Sequence, residues 1–325
     1  MGGQPLFWSI ILLSVALGVL LMLTAKSANG WKHEVAITIW VIGPFLAIIC
    51  APLYSGISRL NLIVFAIGYV LPGLGVTVGY HRMLTHESFK CKRPVKGGLL
   101  IFGTAAVQGA CIHWAGTHRT HHTEVEGPLD PHSPYAYGTG FKNIVRGLWH
   151  AHMGWMFEGK SVDPRFAAGL RDDPLVVWID RFWYVIVVIR FLLPFGVGYS
   201  FGGLDAAVGA TLWGGAAAFL TLHSTFSVNS VCHMFGSRPY QTRGLPTNFF
   251  WLALPTFGEA FHNAHHAFQK SAHHGMTRLE RAVDVSWWVI WTLRSLGLAW
   301  DVNVTLPSKI AARRNPEHKP GRLLS

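Results

Sequence analysis

The feature that most constrains this chain is a series of apolar runs long enough to cross a bilayer. The first, "FWSIILLSVALGVLLMLT" at 7–24, would reach about 27 Å as a helix, close to the hydrocarbon thickness of a membrane. Runs at 35–52 and 60–79 follow. Two more, at 183–203 and 206–222, are separated by so short a turn that they must form a helical hairpin. Only 13% of the residues are charged and the mean hydropathy is +0.31, against about a quarter charged in soluble domains. The expected fold class is therefore an all-α integral membrane protein, a helical transmembrane bundle. The N-terminal "MGGQPLF" carries no Lys or Arg, so 7–24 reads as a retained span and not as a cleaved signal peptide.

Two further segments are apolar without reading as spans. The stretch at 98–113 is short and interrupted by Gln108, so it is expected to pack inside or lie at the interface. "VSWWVIWTLRSLGLAW" (285–300) is aromatic and amphipathic, which suits a helix lying along the membrane surface.

Loop charges set an orientation. Lys and Arg outnumber Asp and Glu by 27 to 16, for a net charge of +11. Lys26 and Lys32 mark one loop and basic residues crowd 81–182, while the connector at 203–205 has none. Positive loops stay inside, so the parts beyond the spans, 81–182 and 225–325, are expected to form a cytoplasmic cap. In a bacterium this would be the cytoplasmic face of the inner membrane. No repeat or flexible linker interrupts the chain, so 1–325 is expected to be one domain. No basic stripe interleaved with aromatics points to nucleic acid. Cys50, Cys91, Cys111 and Cys232 are widely spaced and indicate neither a disulfide framework nor a zinc knuckle.

Against this apolar background, histidine is concentrated in motifs: "HRMLTH" (81–86), "HRTHH" (118–122), "NSVCH" (229–233) and "HNAHH" (262–266). All fall on the same expected side of the membrane. Helical positions i, i+3 and i+4 share a face, so His118, His121 and His122 can converge, as can His262, His265 and His266. Each box reads as a three-pronged ligand. His81 and His86 are five apart, which on a regular helix means about 140° of divergence. The helix is expected to end between them, or the two to reach a site from different directions. A lone His is more often a hydrogen-bonded core residue than a ligand, and that reading suits His33, His113, His150, His152, His223 and His318.

The two HxxHH boxes, the HxxxxH pair and His233 supply nine imidazoles, more than one four- to six-coordinate ion can use. Two metals follow. The scarcity of Cys argues against iron-sulfur clusters, and haem would call for paired His within spans. Redox-active iron acting with O2 on an apolar substrate suits the setting, because zinc cannot supply electrons.

These motifs, in this order and spacing, with "NSVCHMFGSRPY" (229–240) and "PTFGEAFHNAHHAF" (255–268), resemble the membrane-bound fatty acyl desaturases, particularly bacterial relatives of the Δ9 stearoyl desaturases. The resemblance covers roughly 35–300, and "LDPHSPY" (129–135) and "WHAHMGW" (149–155) add to it. It implies two iron ions in the cytoplasmic cap and an acyl chain held in a bent tunnel. His81, His86, His118, His122 and His265 would hold one iron. His121, His233, His262 and His266 would hold the other, with Asn229 reaching it through water. The reaction implied is O2 reduction to water coupled to removal of two hydrogens from adjacent methylenes, leaving a cis double bond at Δ9. No general acid or base is expected.

Animal relatives that use acyl-CoA carry an Arg-Asp pair directly before the second box, where this chain has Gly116 and Thr117. The head-group region is therefore expected around Gly116 and Thr117, with Arg119 or Arg146 able to replace the missing contacts. Acyl-CoA, an acyl carrier protein thioester and a phospholipid are all possible carriers. No cytochrome b5 module is fused, so a separate ferredoxin, rubredoxin or cytochrome b5 is expected to bring electrons. A related di-iron hydroxylase would share every ligand. A metal transporter or sensor would place ionisable residues along the spans, where Arg190 is the main charge.

Overall fold

The computed structural model describes residues 31–158 and 162–317, with backbone only at 31–34, 36–37 and 40–41. The expected span at 7–24, the side chain of His33 and all of His318 lie outside the described residues.

Helix α1 (Trp31–Ser55) is followed by α2 (Arg59–Leu74), whose first turn is capped where Ser58 Oγ accepts from Asn61 N at 3.1 Å. Without a break, α2 widens into a π-helical stretch, Gly75–Thr85. The combined helix Arg59–Thr85 is long and apolar enough to cross a membrane. The second such helix is Trp183–His233, which contains α7 (Trp183–Ser230). It bends back at Gly202 and Gly203, where Gly203 takes φ +66°; that left-handed value is open to glycine at little cost. The legs run side by side as the expected hairpin requires: Arg190 Nη2 donates to Gly214 O at 3.0 Å across the pair and to Gly68 O of α2 at 2.9 Å. Carbonyls thus take the Nη2 hydrogens of a buried arginine in the hairpin. Large apolar side chains such as Leu53, Ile67, Leu193 and Phe201 stay exposed, a surface that lipid would cover.

Helix α3 (Arg93–Thr104) lies along the π-helical stretch so closely that a Cβ on Gly75 would sit 2.1 Å from Gly103 N. The apolar stretch at 98–113 is thus half of α3, a turn, and the first residues of α4 (Cys111–Glu124). Helices α5 (Phe141–His152) and α6 (Pro174–Arg181) precede the hairpin. After it come α8 (His262–Ala267), α9 (Arg278–Val283), α10 (Val285–Ser295) and α11 (Pro307–Ala312). A two-residue strand β1 (Lys90–Cys91) pairs antiparallel with β2 (Ala299–Trp300). The surface helix expected over 285–300 therefore stops at Ser295. Gly297, at φ +66°, turns the chain and Ala299–Trp300 is extended. The exposed Trp288 and Trp291 still give α10 an aromatic outer face. Val78, Tyr80, Leu100, Cys111, Ile179 and Ile290 form a core that joins the π-helical stretch to α3, α4, α6 and α10.

Candidate metal centre

The first histidine pair is brought together by a device that the expectation of a regular helix missed. In the π-helical stretch each turn closes on the residue five back, and His86 N donates to His81 O at 3.1 Å. Residues five apart then lie on nearly the same face, and the two rings have centroids 4.8 Å apart. The helix ends at Thr85, between the two as expected, and its π-helical widening keeps the capping residue His86 beside His81 instead of letting the rings diverge. Such π turns are rare and concentrate at functional sites.

The HxxHH boxes divide where three-pronged ligands were expected. His118 and His122 turn towards His81, His86 and His265, while His121 turns towards His233, His262 and His266. The second box divides in the opposite sense, two to the second group and His265 to the first. Consecutive helical residues point about 100° apart, so neighbours such as His121 and His122 cannot aim at one point. Within each group the nitrogens lie within 4.8 Å of one another. In the five-histidine cluster the Nε2 atoms of His81 and His265 are 3.0 Å apart, those of His265 and His122 2.9 Å, of His122 and His118 2.9 Å, and of His118 and His86 3.1 Å. In the four-histidine cluster the separations are 3.3 Å for His121–His266, 3.1 Å for His266–His262 and 3.0 Å for His262–His233.

Burial first, and neighbouring imidazoles second, hold His86, His118, His122, His262, His265 and His266 well below the usual histidine range. They are neutral, with a lone pair each. Three further rings have their tautomer set from behind. His81 Nδ1 lies 2.5 Å from Glu259 Oε2, His121 Nδ1 2.9 Å from Asp130 Oδ1, and His233 Nδ1 3.3 Å from Glu126 Oε1. A proton on Nδ1 donated to the carboxylate leaves Nε2 as the free donor atom. Two facing nitrogens can share one proton, but four or five converging lone pairs repel unless a cation stands among them. An all-imidazole set suits a divalent first-row transition metal, so the residues fit the two metal ions the motifs imply.

The carboxylates are themselves held. Burial alone would raise Glu259, yet His81, His274 and Arg82 bring it well below the ordinary carboxylate range. Arg82 is fully buried between Glu259, at 3.1 Å, and Asp284, at 2.9 Å. Burial also opposes the ionisation of Asp130, and the neighbouring His121 reverses it, leaving the carboxyl below its usual range. Sequence reasoning singled out none of Glu259, Asp130, Glu126, Arg82, Asp284, His132 or His274. Its nearest signal was the quoted motifs "PTFGEAFHNAHHAF" and "LDPHSPY", which contain Glu259, Asp130 and His132.

A cavity of about 530 Å³, including its open mouth, abuts both clusters through His81, His118 and His262. Asn229 lines it, half-buried. Trp114 stacks on His118 with ring centroids 5.1 Å apart, and is fixed by Gln108, which accepts from its Nε1 at 3.0 Å and donates to Thr225 Oγ1 at 2.9 Å. Thr221, Thr225 and Thr256 line the wall but spend their hydroxyls on Ala217, Thr221 and Leu252 carbonyls. With the hydroxyl bonded back to its own helix or turn, a threonine can offer its methyl to the cavity.

The expected head-group residues are placed as follows. Gly116 is buried, and a Cβ there would lie 2.4 Å from Val162 Cγ1. Thr117 is half-buried beside it. Arg119 donates to the carbonyls of Leu84, Thr85, Phe166 and Ala168, so its guanidinium is committed to the protein. Arg146 is exposed and lies over the Tyr137 ring at 3.9 Å. Of the histidines expected to be packed, His152 bonds Ser230 Oγ and His223 Nδ1, each at 2.9 Å, and His150 meets Glu158 at 3.1 Å. His113 is exposed, which corrects its reading as a core residue. All four cysteines are free thiols.

Two histidine clusters able to hold metal ions, opening on one apolar cavity, are the chemistry that any family assignment must explain. The fatty acid desaturase family matches residues 58–290. The hex-5-enoyl-[acyl-carrier protein] acetylenase of Moorena producens is 36% identical over 76% of this chain and 78% of its own length. The Delta-9 acyl-lipid desaturase 1 of Arabidopsis thaliana is 37% identical over 79% and 77%, and the icosanoyl-CoA 5-desaturase of Limnanthes douglasii 35% over 89% and 78%. The chain belongs to the fatty acid desaturase family, and is an oxidoreductase acting on fatty acyl chains.

Proposed function

We propose that this protein is a di-iron desaturase that places a cis double bond at Δ9 of a saturated acyl chain, with O2 reduced to water. The observation that carries the reading is the meeting of two all-histidine clusters at the wall of one cavity. His81, His86, His118, His122 and His265 would hold one iron, and His121, His233, His262 and His266 the other, with Asn229 beside the second. Iron bound there would supply the one-electron chemistry with O2 that breaking an unactivated C–H bond demands. The protein's own part is placement and exclusion. Trp114, Phe257 and the threonine-lined wall hold the chain against His81, His118 and His262, and their burial keeps bulk water from the reacting carbons.

The spans would make a helical bundle, the parts at 81–182 and 225–325 a cap on its cytoplasmic side, and 1–325 a single domain of a bacterial inner-membrane protein. Electrons would come from a separate ferredoxin, rubredoxin or cytochrome b5. The three relatives above are named for a carrier protein, a lipid and CoA at similar identity, so the carrier depends on local residues. At Gly116 and Thr117 there is no charge for a CoA phosphate, and Arg119 is spent on carbonyls. A lipid-linked or carrier-protein-linked chain should therefore serve at least as well as acyl-CoA.

The test presents one saturated chain as acyl-CoA, as acyl carrier protein thioester and as phosphatidyl ester, with a common reducing system and mass spectrometry of the product. Loss of two hydrogens from the lipid or carrier-protein substrate is expected. Turnover of acyl-CoA alone would refute the head-group reading. Gain of an oxygen atom would make the protein a hydroxylase, and no change with any substrate would favour a metal transporter or sensor.

A further inference from the structure

The carboxylates behind the histidines divide between the clusters in a way that counting ligands does not anticipate. The five-histidine cluster has one, Glu259 at His81, and that carboxylate also serves Arg82 at 3.1 Å and His274 at 3.3 Å. The four-histidine cluster has two, Asp130 at His121 and Glu126 at His233. Among the described residues, the ion pairs of Asp130 and Glu126 are with imidazoles alone. His122, His262 and His265 have no hydrogen-bond partner on Nδ1 among the described residues. Each cluster thus has its own support, and no carboxylate is shared.

The segment that carries Glu126 and Asp130 is built around that task. Asp130 Oδ2 accepts from Glu126 N at 2.6 Å and Asp130 Oδ1 from His132 N at 3.1 Å, so the chain curls about the carboxylate. Glu126 Oε1 takes Leu245 N at 2.8 Å as well as His233, which ties the segment to the loop after the hairpin. Glu126 itself sits at φ +57°. A non-glycine residue in the left-handed region is strained, and such strain persists where the surroundings demand that position.

A carboxylate on the far nitrogen fixes a ligating ring's orientation and tautomer and raises its basicity, and losing it costs about 10–100-fold in metal affinity. We infer that Asp130 and Glu126 are positioning residues for the metal of the four-histidine cluster and Glu259 for that of the five-histidine cluster, so that the two ions are held independently and can be removed one at a time. The inference rests on the metal-centre reading above.

Full-length protein is stripped of metal, reloaded with Co2+ as the probe and dialysed against graded chelator. Bound cobalt is counted by mass spectrometry, and comparison of its d–d absorption with that of His118→Ala and His266→Ala protein, each lacking one histidine of a different cluster, tells which cluster empties. Wild-type protein should take up two equivalents. Glu126→Gln and Asp130→Asn should each release one of them at about ten- to hundredfold lower chelator concentration, losing the same absorption band in both. Glu259→Gln should release the other. Asp130→Glu, which restores the charge, should recover part of the affinity. If Asp130→Asn fails to fold, Glu126→Gln decides, since glutamine keeps an oxygen for Leu245 N. Equivalents that shift together in a single variant, or an unshifted second equivalent in Glu126→Gln, would overturn the inference. Wild-type protein that takes up no cobalt would instead overturn the metal-centre reading beneath it.

Discussion

The two histidine clusters draw on the same pair of helices, yet each is completed by a different part of the fold. Helices α4 and α8 give two imidazoles to one cluster and one to the other, in opposite senses. The five-histidine cluster is closed by His81 and His86 at the end of the helix Arg59–Thr85, where the π-helical widening sets their register. The four-histidine cluster is closed by His233, on a short turn after the hairpin's return leg. One is pinned by backbone geometry within a helix; the other depends on a loop carboxylate, Glu126, to hold its last ring. Both clusters are braced by carboxylates from distant segments, Glu259 at His81 and Glu126 at His233, and the five-histidine cluster adds the local winding of a helix.

The sharpest way to break this comparison is to remove one ligand from each side. If both clusters are required, His118→Ala and His266→Ala should each abolish unsaturated product, read as the unsaturated-to-saturated acyl ratio in expressing cells. Near-normal activity in either well-expressed variant would mean that only one cluster matters. Next in size is the ion network behind the five-histidine cluster. Arg82→Leu removes the buried cation between Glu259 and Asp284, leaving Asp284 without an ion-pair partner among the described residues and Glu259 with His81 and His274 alone, and breaking a buried pair in this way costs about 3–5 kcal/mol. The purified variant should lose well over half of its helical signal at a temperature where wild type is intact. An unchanged melting temperature would show that the network is not what braces this side.

On the four-histidine side the analogous contact is weaker and depends on pH. Burial, and then the neighbouring His223, hold His152 down to about 4, whereas an unfolded histidine titrates near 6.5 (about). Between those values the unfolded chain binds more protons than the folded one, so stability falls as pH drops through that window. His152 bonds Ser230, close in sequence to His233. Thermal unfolding at pH 7 and pH 5 should show a slope that His152→Asn flattens; equal slopes would remove His152 from the account. The smallest effect expected is electrostatic. With a net charge of +11, turnover with an acidic electron donor should decline a few-fold as salt rises, and a flat rate at limiting donor would argue against charge-guided docking.

Much of the architecture was legible because it follows from local periodicity. The apolar runs marked the helices now seen at Arg59–Thr85 and Trp183–His233, and two adjacent glycines at 202–203 mark the hairpin's bend. The aromatic tail was readable as a surface helix but not in its length, since the break at Gly297 depends on Ala299–Trp300 pairing with Lys90–Cys91. The HxxHH spacing put each box on one helical face. That face could not reveal how a box divides, because the partner rings arrive from segments far away.

What the sequence determined by itself was the supply of histidines and the helices that carry them, because 3.6-residue winding turns spacing directly into direction. The tertiary structure alone decided the rest. The π-helical widening arises where α3 packs against Gly75 and Gly79, a contact invisible in a helical repeat. Apart from Asp130, nine residues from His121, the carboxylates behind the rings and behind Arg82 come from afar: Glu126 is 107 residues from His233, Glu259 is 177 from Arg82, and Asp284 is 202 from Arg82. A hydrogen bond or an ion pair has a preferred distance in space but none along the chain, so only folding could say which acid stands behind which histidine.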